Sequence, residues 1–131
     1  MLILAATTDT VEAVLAGAVN SQQQHVWVGY EDIGKCDGRS HFGSKDTLTN
    51  STTDVTVCSA PDADHYRLIK SIHVLNDDDA TSTITLKIDN GTTEPVLFRA
   101  TLATKEMITW TPEGGWVCLT ALGKVKITAH A

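Results

Sequence analysis

The run Asn76-Asp77-Asp78-Asp79 is the stretch most like a cation site, because Ca²⁺ prefers oxygen ligands. An EF-hand loop needs alternating oxygen ligands, a central glycine and a glutamate at its twelfth position. Here the acids are consecutive, no glycine follows, and Ile88 stands twelfth from Asp77. Asn and Asp favour turns, so the run predicts a hairpin connection between two pairing strands, with a loose surface cation site as the alternative. We therefore predict no bound metal and no other cofactor.

The five histidines are the next residues that could do chemistry. None stands two or four positions from another histidine or a cysteine, the spacing that local metal clamps use. Each is predicted to be solvated or hydrogen-bonded, and His41 is the candidate for a ligand or partner contact. Ser40 stands beside His41, but a nucleophile needs a base within reach and a third, orienting group.

Motifs of known enzyme classes are missing from the sequence. It has neither the G-x-S-x-G of a nucleophile elbow nor a glycine-rich phosphate loop. Paired carboxylates of the glycosidase kind stay open, although the same 131 residues would have to build both the cleft and the fold. The prediction is a protein that is not an enzyme.

Trp110 and Trp116 flank a turn and are expected to lie close together. With Trp27 they could form a stacking platform for sugars, as in a carbohydrate-binding module. The alternative, which we prefer, is packing in the core and between sheets. Trp110 and Trp116 are kept as candidate ligand or partner contacts.

The three cysteines, Cys36, Cys58 and Cys118, form no C-x-x-C pair. The spacing predicts neither a zinc ribbon nor a thioredoxin-type redox motif. Two interpretations remain. Either all three are reduced thiols, or a disulfide joins Cys36 to Cys58 or joins two subunits.

The length and the net charge of the chain limit the partners that it can be expected to bind. A chain of 131 residues is expected to form a single domain, and its net charge of −6 argues against a phosphate-binding surface, so we predict no nucleic acid. The start, MLILAATTDT, lacks the basic region and the long apolar run of a secretory signal. No apolar stretch approaches the roughly 20 residues of a membrane-spanning helix, so no membrane partner is predicted.

The elements that must position these residues are predicted to be strands. In TITLKID (83–89), Ile84, Leu86 and Ile88 alternate with polar residues, whereas 66–76 carries apolar residues on both faces, as a strand in the middle of a sheet would. Asn90-Gly91 predicts a tight turn that pairs 83–89 with about 96–103. Further strands are predicted at 24–33, 54–58, 106–111, 116–122 and 124–130. The segment 10–19 can be scored as a short helix or a strand, and we prefer a strand because its Thr, Val and Gly content is poor for a helix and no cap pattern brackets it.

The segment 34–54 is long, polar and rich in Gly, Ser and Asp, which predicts a surface loop. Short strands separated by turn residues, with no secure helix, predict an all-β fold. We expect one domain over 1–131, an antiparallel β-sandwich or a jelly-roll-like domain.

Residues 68–116 resemble small virion proteins of tailed bacteriophages. In that layout a strand ending in Asn-x-Asp is followed by a Thr-rich strand, an apolar strand, a Leu-x-x-x-Glu step and an aromatic-Thr strand that leads to Gly-Trp. The matching residues here are Asn76, Asp78, Thr83 to Leu86, Leu97, Phe98, Leu102, Glu106, Trp110, Thr111, Gly115 and Trp116.

The resemblance implies a virion structural protein, assembled in the host cytoplasm and commonly homo-oligomeric, and it transfers no catalytic residue. Capsid decoration, cement or neck proteins are the expected types, with other virion proteins as partners. The apolar start MLILA is then expected to add a strand to a neighbouring subunit. The alternative is a receptor- or carbohydrate-binding module of a tail fibre or spike.

Overall fold

The computed structural model describes residues 1–126, and all regular structure in that range is β-strand. The ten strands are β1 (Leu2–Leu4), β2 (Thr10–Leu15), β3 (Gln24–Gly34), β4 (Ser40–Thr49), β5 (Val55–Cys58), β6 (His65–Leu75), β7 (Ser82–Asp89), β8 (Val96–Leu102), β9 (Met107–Thr111) and β10 (Gly115–Leu119). None of the described residues forms a helix long and apolar enough to span a membrane.

Two antiparallel sheets pack face to face, which confirms the predicted all-β sandwich. Sheet A has six strands in the order β10-β9-β6-β3-β4, with β1 also paired to β6, and sheet B has four in the order β5-β2-β7-β8. The core is made of the alternate residues that each sheet turns towards the other. Ile72 and Val74 of β6 face Ile84 and Leu86 of β7 in one cluster, and all four are at most 2% exposed. Each such side chain contributes about 1.5–3 kcal/mol by leaving water.

The segment predicted as a loop at 34–54 is instead largely a strand. Ser40–Thr49 pairs with β3 along its whole length, from Gln24 opposite Thr49 to Ile33 opposite Ser40. The prediction was wrong because β4 is an edge strand, largely exposed, and so lacks the alternation of a half-buried strand. Its Gly43 lies against the ring of Tyr30, where a Cβ would come within 2.6 Å of a ring atom. An aromatic residue covering a glycine in this way is a known way of fixing strand register.

The N-terminal segment pairs within its own chain. Leu2, Ile3 and Leu4 lie antiparallel to Ile69, Leu68 and Arg67 of β6. Leu4 is fully buried, whereas Ile3 remains 45% exposed on the other face of the strand. One edge of this strand is therefore paired within its own chain, and its addition to a neighbouring subunit stays a prediction.

The predicted pairing of 83–89 with about 96–103 is confirmed, although its turn differs. Gly91 takes a positive φ of 83°, but the connection runs over residues 90–95 and is closed by a bond from Asn90 N–H to the Thr93 carbonyl. At the C-terminal end, Val125 forms one isolated bridge with Leu119, so the predicted strand at 124–130 is reduced to that bridge as far as residue 126. The remainder of that segment lies outside the described residues.

Candidate interaction surfaces

The segment 76–81 is a crossover between the two sheets and not a hairpin, because β6 lies in sheet A and β7 in sheet B. Asn76 is fully buried at its start. The Asn76 side-chain amide donates to the carbonyls of Leu102 (2.8 Å) and Ala80 (3.0 Å), and its oxygen accepts from Gln24 Nε2 (2.7 Å) and from Asp78 N–H (3.1 Å). One side chain therefore joins β3 of sheet A to the end of β8 in sheet B.

Asp78 joins a second crossover, the one between β2 and β3, to the crossover at 76–81. Its carboxylate, in a residue only 1% exposed, accepts hydrogen bonds from the backbone N–H groups of Asn20 (2.8 Å), Ser21 (2.8 Å) and Gln22 (3.1 Å), which lie between β2 and β3. These N–H groups, Asn20 first, and that of Asp79 hold the pKa of Asp78 well below its ordinary value, although burial opposes the shift. The oxygens that suggested a cation site are thus used by the chain itself.

Glu106 stabilises a third crossover, the one between β8 and β9. Its Oε1 accepts from Ala103 N–H at 2.8 Å and from Lys126 Nζ at 2.7 Å, and these bonds, that of Lys126 first, lower the pKa of Glu106. Asn76, Asp78, Leu102 and Glu106 are all positions on which the phage resemblance rests. Their shared role is to join crossovers at one end of the sandwich. The expected resemblance therefore concerns the fold before it concerns any function.

Trp110 and Trp116 lie close together, as predicted, and pack rather than forming an open platform. They are register partners in the β9–β10 hairpin with ring centroids 6.0 Å apart, and Trp110 is 8% exposed. The Trp116 ring stacks on Phe98 of sheet B at 4.7 Å. Both tryptophans therefore serve the contact between the sheets, which leaves Trp27 as the tryptophan with an open surface, at 53% exposure.

Trp27 lies on the side of sheet A that points away from sheet B, which we call the outer face. The cross-strand register shows how apolar this face is. One row of neighbouring residues crosses five strands, and four of its five members are apolar: Leu48, His25, Leu75, Met107 and Leu119. A second row runs through Phe42, Glu31, Leu68 and Ile3.

The most exposed apolar side chains of the outer face are large. They are Ile3, Trp27, Phe42, Leu48 and Tyr66, and Phe42 reaches 78% exposure. No element within residues 1–126 covers the outer face. A polar row through Ser44, Gly29 and Ser71 separates these apolar residues into two groups, one towards each end of the outer face. Groups of large exposed apolar side chains are typical of contact sites.

The charged groups on the outer face are paired with one another. Lys70 Nζ lies 3.2 Å from Glu31 Oε1, and His25 lies between two carboxylates. Asp46 is 3.7 Å from His25 Nδ1, whereas Asp77 is 3.8 Å from His25 Nε2. Such a pair lowers the cost of covering the face with a partner, because a paired charge costs less to bury than a lone one, and His25 contributes in this way only when it is protonated.

His41 lies on β4, at the opposite end of the sandwich from the Asn76 network. It is exposed, and its ring centroid is 6.1 Å from that of His65. Ser40 and His41 are successive residues of a strand, so their side chains point to opposite faces and do not form a nucleophile–base pair.

All three cysteines are free thiols, so the Cys36–Cys58 disulfide is not formed. Cys36 is exposed after β3 of sheet A, whereas Cys58 is buried at the end of β5 in sheet B. Burial raises the pKa of the Cys58 and Cys118 thiols, which keeps both protonated at neutral pH.

Among residues 1–126, two groups of three carboxylate or histidine side chains have donor atoms within 4.8 Å of one another. The first, Glu12 with Asp89 and Glu94, surrounds a lysine, since Lys87 Nζ lies 3.7 Å from Glu94 and 2.7 Å from Asp54. Burial, followed by the neighbouring carboxylates, raises the pKa of Glu12. Lys87 is therefore a cation beside this group, although Glu12 Oε2 is buried without a hydrogen-bond partner in the described part of the chain. The second group consists of Asp62, Asp64 and His65.

No family model, curated protein or solved structure matches this chain.

Two of these surfaces were missed from the sequence, and both left a signal. The outer face appears as apolar residues on both sides of 66–76, which we attributed to a central position in the sheet. The second cluster appears as Asp-x-Asp-His at 62–65, which a search for histidine and cysteine spacing passes over.

Proposed function

We propose that this protein is a non-enzymatic structural component of a bacteriophage virion, of the capsid decoration, cement or neck type. It acts by burying the outer face of sheet A against neighbouring virion subunits, including further copies of itself. The observation that carries the proposal is the uncovered apolar outer face, and the phage-like layout of 68–116 supplies the context.

The size of the side chains indicates how much of the face must be covered. Burying the exposed parts of Trp27 and Phe42 contributes roughly 5–8 kcal/mol at about 25 cal/mol per Å². The loss of translational and rotational freedom costs about 4–15 kcal/mol. The gain from two aromatic residues exceeds only the lower end of this cost, so a stable contact requires most of the apolar rows between β4 and β10.

The edge of sheet A offers a second element of the same contact. Within residues 1–126, β4 pairs only with β3, so its other edge presents unpaired backbone groups over ten residues. A strand from a neighbouring subunit can pair with such an edge. Phe42 and Leu48 of β4 lie on the outer face, which makes the edge and the face one continuous surface.

The double substitution Trp27→Lys with Phe42→Lys tests this proposal. We expect it to abolish self-association in sedimentation velocity and to abolish co-sedimentation with phage particles that lack the protein. The matched control is Thr56→Lys with Thr101→Lys, which adds the same charge to exposed positions of sheet B. Association by the double variant equal to that of the control would overturn the proposal.

A second candidate function, a receptor- or carbohydrate-binding module of a fibre or spike, is favoured by the exposed ring of Trp27. Aromatic rings of this kind stack on sugar rings. A glycan array followed by tryptophan fluorescence discriminates the two functions. A saturable shift that disappears in Trp27→Ala and persists in Trp110→Phe supports the binding module, and the absence of any glycan response rejects it.

A further inference from the structure

We propose that Asp62, Asp64 and His65 form a binding site for a divalent transition-metal ion of the zinc type. The site is independent of the outer face, because it lies at the end of the sandwich where β5 passes to β6.

A tight turn gathers the three side chains. The sequence Pro-Asp-Ala-Asp-His closes with a hydrogen bond from His65 N–H to the Asp62 carbonyl at 3.0 Å, as in a β-turn. The turn is held from the other side, since Lys35 N–H donates to the Asp64 carbonyl at 2.8 Å. These bonds fix the backbone that carries the donors before any ion binds.

The donor atoms are close to the separation that one ion requires. Two ligands at the usual zinc distances in a tetrahedral site lie about 3.3–3.6 Å from each other. In the structure the three donors lie within 4.8 Å of one another, so the exposed Asp62 and Asp64 side chains have to rotate to bring their oxygens closer and complete the site. One imidazole with two carboxylates is a donor set that suits zinc and its neighbours better than Ca²⁺.

Lys35 is the cation that could have neutralised these acids, but its ammonium group bonds other partners. Lys35 Nζ donates to the carbonyls of Ala63 (3.0 Å) and Ala5 (3.4 Å) and lies 4.9 Å from the Tyr66 ring centroid. Within residues 1–126, the Asp62 carboxylate has no hydrogen bond or ion pair, and Asp64 Oδ1 lies 2.8 Å from His65 Nδ1. In the cluster around Lys87, by contrast, an ammonium group lies 3.7 Å from one of the acids, Glu94.

An open space adjoins the donors. A cavity of about 130 Å³ is lined by Gly34, Cys36, Asp37, Asp64 and His65. It leaves room for a further ligand, such as water, on the ion. The exposed Cys36 thiol is the group that could bind zinc by itself and so has to be removed in the test.

His25 provides a matched contrast. It too has two carboxylates near it, but they approach opposite nitrogens of the ring, at 3.7 and 3.8 Å. One ion cannot contact both ring nitrogens, so Asp46, Asp77 and His25 do not converge on a common point. Two carboxylates near a histidine are therefore not enough to make a metal site. What distinguishes the group of Asp62, Asp64 and His65 is that its donor atoms converge on one point.

The experiment uses the full chain carrying Cys36→Ser, stripped with EDTA and titrated with Zn²⁺ by calorimetry and with Co²⁺ by visible absorption. We expect one saturable ion per chain. His65→Ala and the milder Asp64→Asn should each weaken binding at least about tenfold, since even outer contacts at metal sites are worth that much. The control His25→Ala should bind as the parent does.

Three results would overturn the proposal. They are the absence of saturable binding in the Cys36→Ser chain, equal affinities of the parent and both site variants, and equal losses in His25→Ala and His65→Ala. Because Asp64→Asn preserves the size and shape of an exposed side chain, loss of binding in that variant cannot be attributed to unfolding.

Discussion

The outer faces of the two sheets differ although the sheets share one core. On sheet B the outer positions of β7 are Thr83, Thr85, Lys87 and Asp89, and the Thr83 hydroxyl bonds that of Thr101 at 2.7 Å. On sheet A the corresponding positions of β6 include Tyr66, Leu68 and Leu75. The outer face of sheet B is polar, whereas that of sheet A carries the exposed apolar residues on which the proposed partner contact rests.

A central position in the sheet does not explain this difference. β6 is flanked by β3 and β9, and β7 is equally flanked by β2 and β8. Both strands have their backbones paired on both sides, but the outer positions of β7 are polar, whereas those of β6 combine Tyr66, Leu68 and Leu75 with Ser71 and His73. This difference between the outer faces is the basis of the proposed partner contact.

The largest expected effect comes from breaking the link between the sheets. Asn76→Ala leaves Gln24 and the Leu102 carbonyl without their buried partner and should lower the free energy of unfolding by about 3–5 kcal/mol. Urea denaturation followed by circular dichroism measures this loss. The control Asn90→Ala removes an exposed amide in the β7–β8 loop. Similar losses in both variants would contradict the central role of the network.

The next effect contrasts the two faces of one strand in sheet A. Leu4→Ala empties a fully buried position and should lower the free energy of unfolding by about 2–3 kcal/mol. Ile3→Ala, one residue earlier and on the outer face, should change it by less than about 0.5 kcal/mol in the isolated chain. Thermal unfolding of dilute protein tests both. A large loss in Ile3→Ala would mean that the outer face is covered within the chain.

How much the sequence predicts depends on how far each face is buried. β3 and β7 were predicted because alternation records one buried face, and β2 was predicted because its composition is poor for a helix. β4 was missed because both of its faces are largely exposed, and the crossover at 76–81 was mistaken for a hairpin because alternation identifies strands and not their sheet. The Asp62–Asp64–His65 cluster depends on a turn whose geometry no periodicity reports.

The contribution of Asp78 to the free energy of unfolding should depend on pH more strongly than that of an exposed carboxylate. Because the folded-state pKa of Asp78 is depressed, its stabilisation is complete above the ordinary aspartate pKa of about 4 and is lost as the pH falls below that value. Asp78→Asn should therefore be less stable than the parent at pH 7, with a difference that shrinks towards pH 2. Asp62→Asn, at an exposed position, is the control and should show little difference at either pH. A difference for Asp78→Asn that is constant with pH would refute this assignment.

The smallest expected effect on stability is also the sharpest comparison of the two sheets. Leu48 and Val96 are both exposed apolar residues on edge strands, at 54% and 59%, but Leu48 belongs to the apolar outer face of sheet A and Val96 to the polar side of sheet B. Replacing either by Thr should change the free energy of unfolding by less than about 0.5 kcal/mol, since neither side chain is buried in the chain. Sedimentation velocity should nevertheless separate them, with self-association weakened in Leu48→Thr and unchanged in Val96→Thr. Equal behaviour of the two variants would mean that Leu48 is merely one of the isolated apolar residues that every protein surface carries.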